Sequence, residues 1–222
     1  MLIIIDNLLD ASDLATLRSW LSEASFEDGR ATAGGAARLV KNNNQVNDED
    51  PKLDEMARLI EKRLWRDGLF MAAAQPKEIL EPLFSRYTPG MGYGTHMDNA
   101  LMQDVRVDMS ITVFLSEPSD YDGGELVIDF PTGERTIKLA AGSAVLYPTS
   151  ALHRVAEVTR GTRLAAVTWI RSLVRDAAKR EMLLDLKQAR QALSERKQPD
   201  LQVAIDLVSK TYTNLLRHWM ED

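Results

Sequence analysis

Cysteine is absent from this 222-residue sequence, and histidine is scarce, with three copies. Without cysteine the chain forms no disulfide and offers no thiolate, so any metal site must use histidine and carboxylate side chains. No apolar run approaches the roughly 20 residues that cross a membrane. The apolar start at residues 1–5 is too short for the hydrophobic part of a secretion signal. We therefore expect a cytoplasmic protein with no membrane partner.

An excess of positive charge is also missing. The 27 Lys and Arg residues are outnumbered by 33 Asp and Glu residues, which gives a net charge of −6 and an isoelectric point near 5.2. This balance provides no electrostatic reason to bind nucleic acid. Hydrophobic residues make up 45% and charged residues 27%, as in an ordinary globular protein. We expect no nucleic-acid partner.

The residue patterns change twice along the chain. Residues 1–80 carry apolar positions at helical spacing and predict an α/β region that supports the catalytic domain. Residues 81–172 hold eight short β-rich runs without intervening helices, which favours a jelly roll. Residues 173–222 return to helical spacing and predict a helical hairpin. The β-rich runs are 83–87, 95–98, 107–115, 125–130, 134–139, 143–147, 152–158 and 164–170.

The expected fold is therefore mainly β with flanking helices (α+β). A jelly-roll core, 81–172, would carry the N-terminal helices on its outside and the C-terminal hairpin at its end. We expect the hairpin to pack on the β domain. A homodimer interface is the alternative use of its apolar face.

Two of the three histidines lie in the β-rich part and suggest a metal site. His96 and Asp98 are two residues apart, so on a strand both side chains leave the same face. His153 on a second strand would complete a set of two imidazoles and one carboxylate. Non-haem Fe(II) oxygenases use this set and leave three coordination positions open, although a catalytic zinc site can use the same residue types.

Arg163 begins the strand after the one that carries His153. Oxygenases of this kind commonly use 2-oxoglutarate, whose far carboxylate needs an anchor some distance from the metal. A planar guanidinium that never loses its charge suits that role. Ala165 and Trp169 share the face of Arg163 by strand alternation, so we expect a small residue that leaves room and an aromatic pocket wall.

Further candidates lie close to these residues in the sequence. Tyr87 is on the strand before the proposed ligands and is a candidate hydrogen-bond partner of the cosubstrate, or else a core tyrosine. Thr95 and Asn99 flank the ligands and could orient them. The polar stretch 41–45 is either a solvated turn or the polar rim of a pocket.

Several longer stretches resemble one known family. They are the run from Arg86 to Ala100 that contains His96 and Asp98, the Asp-Tyr-Asp-Gly-Gly-Glu-Leu run at 120–126, the run 146–155 that contains His153, and 168–176. In this order they resemble the PKHD-type hydroxylases, bacterial relatives of the prolyl 4-hydroxylases among the Fe(II)/2-oxoglutarate oxygenases. The similarity extends over most of the chain.

The resemblance implies a double-stranded β-helix and Fe(II) held by His96, Asp98 and His153. It also implies 2-oxoglutarate held by Arg163, O2 as a second cosubstrate and ascorbate as a reductant for the iron. The expected activity is a dioxygenase that hydroxylates a protein, a peptide or a siderophore-like small molecule and releases succinate and CO2. The alternatives are a non-catalytic module that senses iron and 2-oxoglutarate, and a zinc hydrolase on a cupin-like barrel.

Overall fold

A computed structural model describes residues 1–221, in which seventeen strands and six α-helices follow one another. The helices are α1 (Ala11–Glu23), α2 (Ala37–Val40), α3 (Leu53–Arg66), α4 (Gly68–Ala74), α5 (Ala177–Glu195) and α6 (Gln202–Trp219). The strands are β1 (Ile3–Ile5), β2 (Phe26–Asp28), β3 (Lys41–Asn42), β4 (Asn44–Val46), β5 (Pro76–Ile79), β6 (Leu83–Tyr87), β7 (Gly92–His96), β8 (Leu101–Met102), β9 (Val105–Arg106), β10 (Met109–Phe114), β11 (Tyr121–Gly123), β12 (Leu126–Phe130), β13 (Gly133–Ile137), β14 (Ala144–Pro148), β15 (His153–Val155), β16 (Val158–Gly161) and β17 (Arg163–Ser172).

Two antiparallel sheets form the body of the protein. The larger sheet has the order β1-β14-β10-β17-β6-β4-β2, and β5 also pairs with β17. The smaller sheet has the order β13-β12-β15-β7-β3. Neighbours within each sheet are mostly distant in sequence, so most strand pairings are long-range contacts. Two short ribbons, β11-β16 and β8-β9, are added at the ends.

Side-chain alternation gives the larger sheet two different faces. On β10, Met109, Ile111 and Val113 belong to one apolar cluster, which also contains residues of α1, α3, α4 and α5. Phe114, on the opposite face of β10, belongs to a second cluster that also contains residues of β12 and β15, in the smaller sheet. Strand residues point alternately to opposite faces, so the sheet has helices on one side and the second sheet on the other.

The N-terminal helices form one outer layer because they are amphipathic. Helix α1 begins after Asp10, whose carboxylate accepts hydrogen bonds from the backbone N–H groups of Ser12 and Asp13. Helix α3 buries Met56, Ile60 and Leu64, spaced as one helical face requires. Burial of each such side chain contributes about 1.5–3 kcal/mol to folding.

A short segment, 41–46, connects the two sheets, and we call it the bridging segment. At its start β3 pairs with β7 of the smaller sheet, where Lys41 lies opposite Tyr93. At its end β4 pairs with β6 of the larger sheet, where Gln45 lies opposite Ser85. Six residues therefore close one side of the space between the sheets.

The C-terminal helices form a hairpin, as the sequence predicts. Helix α5 packs on α4 and buries Leu183 and Leu184, and α6 packs against α5. Helix α6 has no fully buried side chain, and Val203 and Leu207 are 69% and 57% exposed. A homodimer through this hairpin stays a prediction. Within residues 1–221, no helix has both the length and the apolar character needed to span a membrane.

The predicted fold class is confirmed: the protein is mostly antiparallel β with helices outside and at its C-terminus. Two details differ. The N-terminal 80 residues supply five strands to the two sheets, including the bridging segment. Strand β7 ends at His96, so Asp98 follows the strand rather than lying in it. The predicted division at residues 80 and 172 stays a prediction.

Candidate metal centre

His96 and His153 lie opposite each other on neighbouring strands. His96 is the last residue of β7, His153 is the first residue of β15, and the two are paired in the β7–β15 register. Their ring centroids are 4.3 Å apart. Asp98 comes two residues after the end of β7, and its carboxylate Oδ2 lies 3.9 Å from Nε2 of His153. The structure thus brings the three predicted ligands together.

The hydrogen bonds of the two imidazoles leave the right atoms free for a metal. Nδ1 of His96 lies 2.9 Å from the carbonyl oxygen of Gly94, and Nδ1 of His153 lies 3.0 Å from that of Ala151. Because a carbonyl oxygen only accepts, each Nδ1 donates, and each Nε2 is the nitrogen left to face a metal. One ligand atom from each of the three side chains lies within 4.8 Å of the others. Two nitrogens and one carboxylate oxygen at these separations fit a divalent metal ion such as iron or zinc.

Neighbouring side chains fix the orientation of the three ligands. The Ser110 hydroxyl on β10 donates a 2.6 Å hydrogen bond to Oδ2 of Asp98. The Tyr93 ring stacks on His96 with centroids 3.6 Å apart, and the Tyr147 ring meets His153 edge-on at 5.2 Å. These contacts hold the side chains before any ligand binds, which lowers the cost of metal binding.

Burial sets the charge of the His96 imidazole. It lowers the pKa of His96 to about 4, and the neighbouring His153 adds to the effect because a second positive charge there is unfavourable. The imidazole of His96 is therefore neutral at pH 7. A neutral imidazole is the form that binds a metal.

Acid should destabilise the metal-free protein through His96. Its folded pKa, about 4, lies below the ordinary value of 6.5, so the unfolded state binds more protons between these two values. Stability is therefore full above about pH 6.5 and is lost as the pH falls towards 4. Between pH 7 and pH 5, wild type should lose about 1–2 kcal/mol more unfolding free energy than His96→Gln in urea titrations. Equal losses would contradict this prediction.

Arg163 lies on β17, in the larger sheet, and is 1% exposed. Its guanidinium carbon is 5.1 Å from the centre of the Tyr87 ring and 5.5 Å from that of Phe114. Its Nε makes no hydrogen bond, and no salt bridge to it forms within residues 1–221. A buried cation without a counter-charge is costly, so this site suits a ligand carboxylate.

The space around Arg163 depends on a glycine. A Cβ atom at Gly124 would lie 3.0 Å from Cδ of Arg163 and 3.0 Å from the Tyr121 ring. Gly124 also has a φ of +66°, which other residues rarely adopt.

Tyr87 is buried beside Arg163, and that burial raises the pKa of the Tyr87 hydroxyl. The hydroxyl therefore stays protonated and can donate a hydrogen bond.

One cavity of about 640 Å³ joins these groups. The three predicted metal ligands line it together with Arg163, Tyr87 and Trp169. The indole Nε1 of Trp169 is buried without a hydrogen-bond partner. Ala165, which is fully buried, lies on the same face of β17. A metal, a bound cosubstrate and part of a substrate have room in one enclosed space.

The two groups predicted to orient the ligands are placed elsewhere. Thr95 is exposed, because strand alternation turns it away from the cavity that His96 faces. Asn99 lines the cavity but is exposed, and it makes no hydrogen bond to the three ligands within the described residues. Ser110 makes that contact instead. Ser110 and Asp98 are twelve residues apart, so their contact depends on the packing of β10 next to Asp98 and cannot be read from the sequence spacing.

Two family models match the chain. The model of the 2OG-Fe(II) oxygenase superfamily matches residues 82–171, the part that contains the three ligands and Arg163. The model of the PKHD-type hydroxylase C-terminal domain matches residues 177–221, which correspond to the hairpin of α5 and α6. The two matches follow one another with a gap of five residues (172–176).

Similar proteins and structures agree with these matches. The chain is 48% identical to a PKHD-type hydroxylase of Acaryochloris marina over 100% of both chains, and 46% identical to one of Acidovorax ebreus over 99% of both. A Pseudomonas putida prolyl-4-hydroxylase structure, 22% identical, shares the fold with a TM-score of 0.54 over 77% of this chain and 92% of that one. A 2OG-Fe(II) oxygenase-family structure from Burkholderia pseudomallei, 18% identical, shares the fold with a TM-score of 0.57 over 76% of this chain and 82% of that one. The chain belongs to the PKHD-type hydroxylases, within the 2OG-Fe(II) oxygenases, and is a 2-oxoglutarate-dependent dioxygenase.

Proposed function

We propose that this protein uses Fe(II), 2-oxoglutarate and O2 to hydroxylate a C–H bond of a peptide or small-molecule substrate. One O2 oxygen enters the substrate as the new hydroxyl, and 2-oxoglutarate takes the other and becomes succinate and CO2. The observation that carries the proposal is one cavity that contains both a His-Asp-His set and a buried arginine without a counter-charge. Family membership alone does not assign these residues their roles.

Each of these residues has a defined task in this proposal. His96 and His153 hold iron through Nε2, and Asp98 holds it through a carboxylate oxygen. Arg163 pairs with the far carboxylate of 2-oxoglutarate, and Tyr87 donates a hydrogen bond beside it. When bound, Fe(II) with 2-oxoglutarate supplies the oxidation chemistry, which side chains cannot perform themselves.

The walls of the cavity protect that chemistry from water. Tyr147, which lines the cavity, is 1% exposed, and Leu126, which also lines it, is 2% exposed. The dry surroundings strengthen the attraction between Arg163 and a carboxylate, because little water competes for either charge. Trp169 contributes a further free donor, its indole N–H.

Structural neighbours were solved with bound molecules of two classes. A prolyl hydroxylase from Trichoplax adhaerens was solved with a peptide fragment of a hypoxia inducible factor, and HygX from Streptomyces hygroscopicus was solved with hygromycin B. Both share only the fold with this chain, at 17% and 15% identity. They support a peptide or a small molecule as substrate equally well. Ascorbate as a reductant and a cytoplasmic location stay part of the proposal.

The experiment that tests the proposal has two measurements. Anaerobic addition of 2-oxoglutarate to the Fe(II)-loaded protein should produce a visible charge-transfer band, since the keto acid chelates the iron. In air, the same protein should form succinate from 2-oxoglutarate, and added ascorbate should prolong turnover. A protein that binds zinc and shows neither response would instead support the hydrolase, and one that shows the band without turnover of any substrate would support a sensor.

Ser110→Ala should weaken metal binding without unfolding the protein. The change removes the 2.6 Å hydrogen bond that orients Asp98, and loss of such a supporting contact lowers metal affinity by about 10–100-fold. The dissociation constant for Fe(II), or for Mn(II) as its redox-stable substitute, should rise by that factor in calorimetry. Ser116→Ala, a buried serine that bonds to backbone groups of Thr162 and Leu164, is the control and should bind metal like wild type.

A further inference from the structure

The bridging segment presents three buried polar side chains to the cavity. Lys41, Asn43 and Gln45 are 5%, 2% and 4% exposed, and all three line the cavity. They occupy alternate positions, so an extended backbone points them to one side. Buried polar groups normally have hydrogen-bond partners, and leaving them without partners is costly. The protein itself supplies only part of the hydrogen bonds that these three side chains can make.

The hydrogen-bond partner and the ring contact of Lys41 are neutral, and the carboxylates of Asp98 and Asp28 act on its charge from beyond salt-bridge distance. Its Nζ donates a 2.8 Å hydrogen bond to the Thr32 hydroxyl and lies 5.4 Å from the centre of the Tyr93 ring. Within residues 1–221 it forms no salt bridge. Burial lowers its pKa to about 8, so the ammonium still carries its charge at pH 7. A buried ammonium with two unused donors favours an anion.

The two amides beside Lys41 have free hydrogen-bonding groups. The side chain of Asn43 lies beside the Tyr87 hydroxyl, and neither its Nδ2 nor its Oδ1 makes a hydrogen bond of ordinary geometry. Gln45 accepts a 2.5 Å bond from the Thr32 hydroxyl at Oε1, which leaves its Nε2 as a donor. Asn43 is also held close to Gly29, where a Cβ atom would lie 2.0 Å from Oδ1. The site is therefore built and rigid rather than a loose surface.

Lys41 and Arg163 belong to different sheets. Tyr93 contacts both Lys41 and His96: the Lys41 Nζ lies 5.4 Å from the centre of its ring, and the His96 ring stacks on it. Arg163 lies on the larger sheet. Among the described residues that line the cavity, Lys41 and Arg163 are the two cations. With Arg163 assigned to 2-oxoglutarate, Lys41 is left for a different anion.

We propose that Lys41, with Asn43 and Gln45, binds a single carboxylate of the substrate; this inference rests on the proposed function. One ammonium and two neutral amides match one negative charge. The exposed carboxylates Asp48, Asp54 and Glu81 also line the cavity and would repel a phosphate or another polyanion. The carboxylate can belong to a small acid or to an acidic side chain of a peptide, and both present the same group.

Matched probes test this site. The Fe(II)- and 2-oxoglutarate-loaded protein would be titrated anaerobically in a calorimeter with N-acetylglycine, N-acetylleucine and N-acetylphenylalanine, each against its amide. A second series would compare acetyl-alanyl-glutamyl-alaninamide with its glutaminyl counterpart. For at least one acid, the dissociation constant should be lower than that of its uncharged partner by about tenfold or more, since the ammonium attracts only the charged acid. The series that shows the preference identifies the source of the carboxylate.

Variants assign the preference to Lys41. Lys41→Met should reduce it to about twofold or less, whereas Lys41→Arg should retain part of it. Lys77→Met removes one exposed lysine of β5 and should change nothing, which controls for net charge. A purely structural Lys41 would change the affinity for acids and amides alike.

The outcomes separate this inference from the proposed function. Wild type can bind 2-oxoglutarate in the presence of Fe(II) and yet prefer no acid over its uncharged partner in either series. That result overturns the carboxylate site alone. So does a Lys41→Met protein that keeps the preference. Wild type that fails to bind 2-oxoglutarate overturns the proposed function, and the carboxylate site with it.

Discussion

His153→Ala should abolish Fe(II)-dependent formation of succinate, with a loss of about 1000-fold or more. The change removes one of three ligand atoms that lie within 4.8 Å of one another, and the remaining pair cannot hold iron in the same way. Fe(II) binding by calorimetry and the charge-transfer band with 2-oxoglutarate should be lost together. The protein should remain folded, because alanine leaves the backbone pairing of β15 with β7 and β12 intact.

His218→Ala is the matched control for that experiment. His218 is the third histidine of the chain and lies exposed near the end of α6. It should retain full Fe(II) binding and full turnover. Equal activity of His153→Ala and His218→Ala would remove the basis for the metal site, and loss of activity in both would point to general damage to the protein.

Arg163→Met should raise the KM for 2-oxoglutarate by about 100-fold. Removal of one partner from a buried, hydrogen-bonded charge pair costs about 2–5 kcal/mol of binding energy. At saturating 2-oxoglutarate, kcat should fall much less, since the anchor lies away from the reacting atoms. The variant should stay folded, because methionine replaces a buried charge that has no protein counter-charge. Succinate formation across a range of 2-oxoglutarate concentrations measures both constants.

Arg160→Met provides the comparison for Arg163. Arg160 lies three residues earlier, is exposed, and pairs with Asp122 at 2.6 Å. Because such surface pairs contribute little, its KM for 2-oxoglutarate should equal that of wild type. An unchanged KM in Arg163→Met would refute the assignment of Arg163 and leave the metal site unaffected.

Local patterns are enough to predict the main strands of the β-rich part and to single out the three candidate ligands. The runs around β10, β14 and β17 are rich in apolar and β-branched residues, and the spacing of His96 and Asp98 points to one face. The position of Asp98 beyond the end of β7 was not predictable from spacing, because the strand end depends on its pairing with β15. The exposure of Thr95, which we expected to orient a ligand, also depends on this strand pairing.

Contacts between distant segments could not be predicted from one sequence. Ser110 supports Asp98 from another strand, and Gly124 makes room for Arg163 from a turn 39 residues earlier. The polar stretch 41–45 was open between a solvated turn and a pocket rim, and the structure shows Lys41, Asn43 and Gln45 buried in the cavity. Such contacts depend on how the two sheets pack, which local residue patterns do not specify.

The backbone and the side chains of the bridging segment have different roles. Its backbone ties β7 to β6, while its alternate side chains point into the cavity. Replacement of those side chains therefore leaves the hydrogen bonds between the sheets intact. Under the carboxylate-site proposal, exchange of Lys41, Asn43 and Gln45 would change which substrate binds while the pairings β3–β7 and β4–β6 are kept.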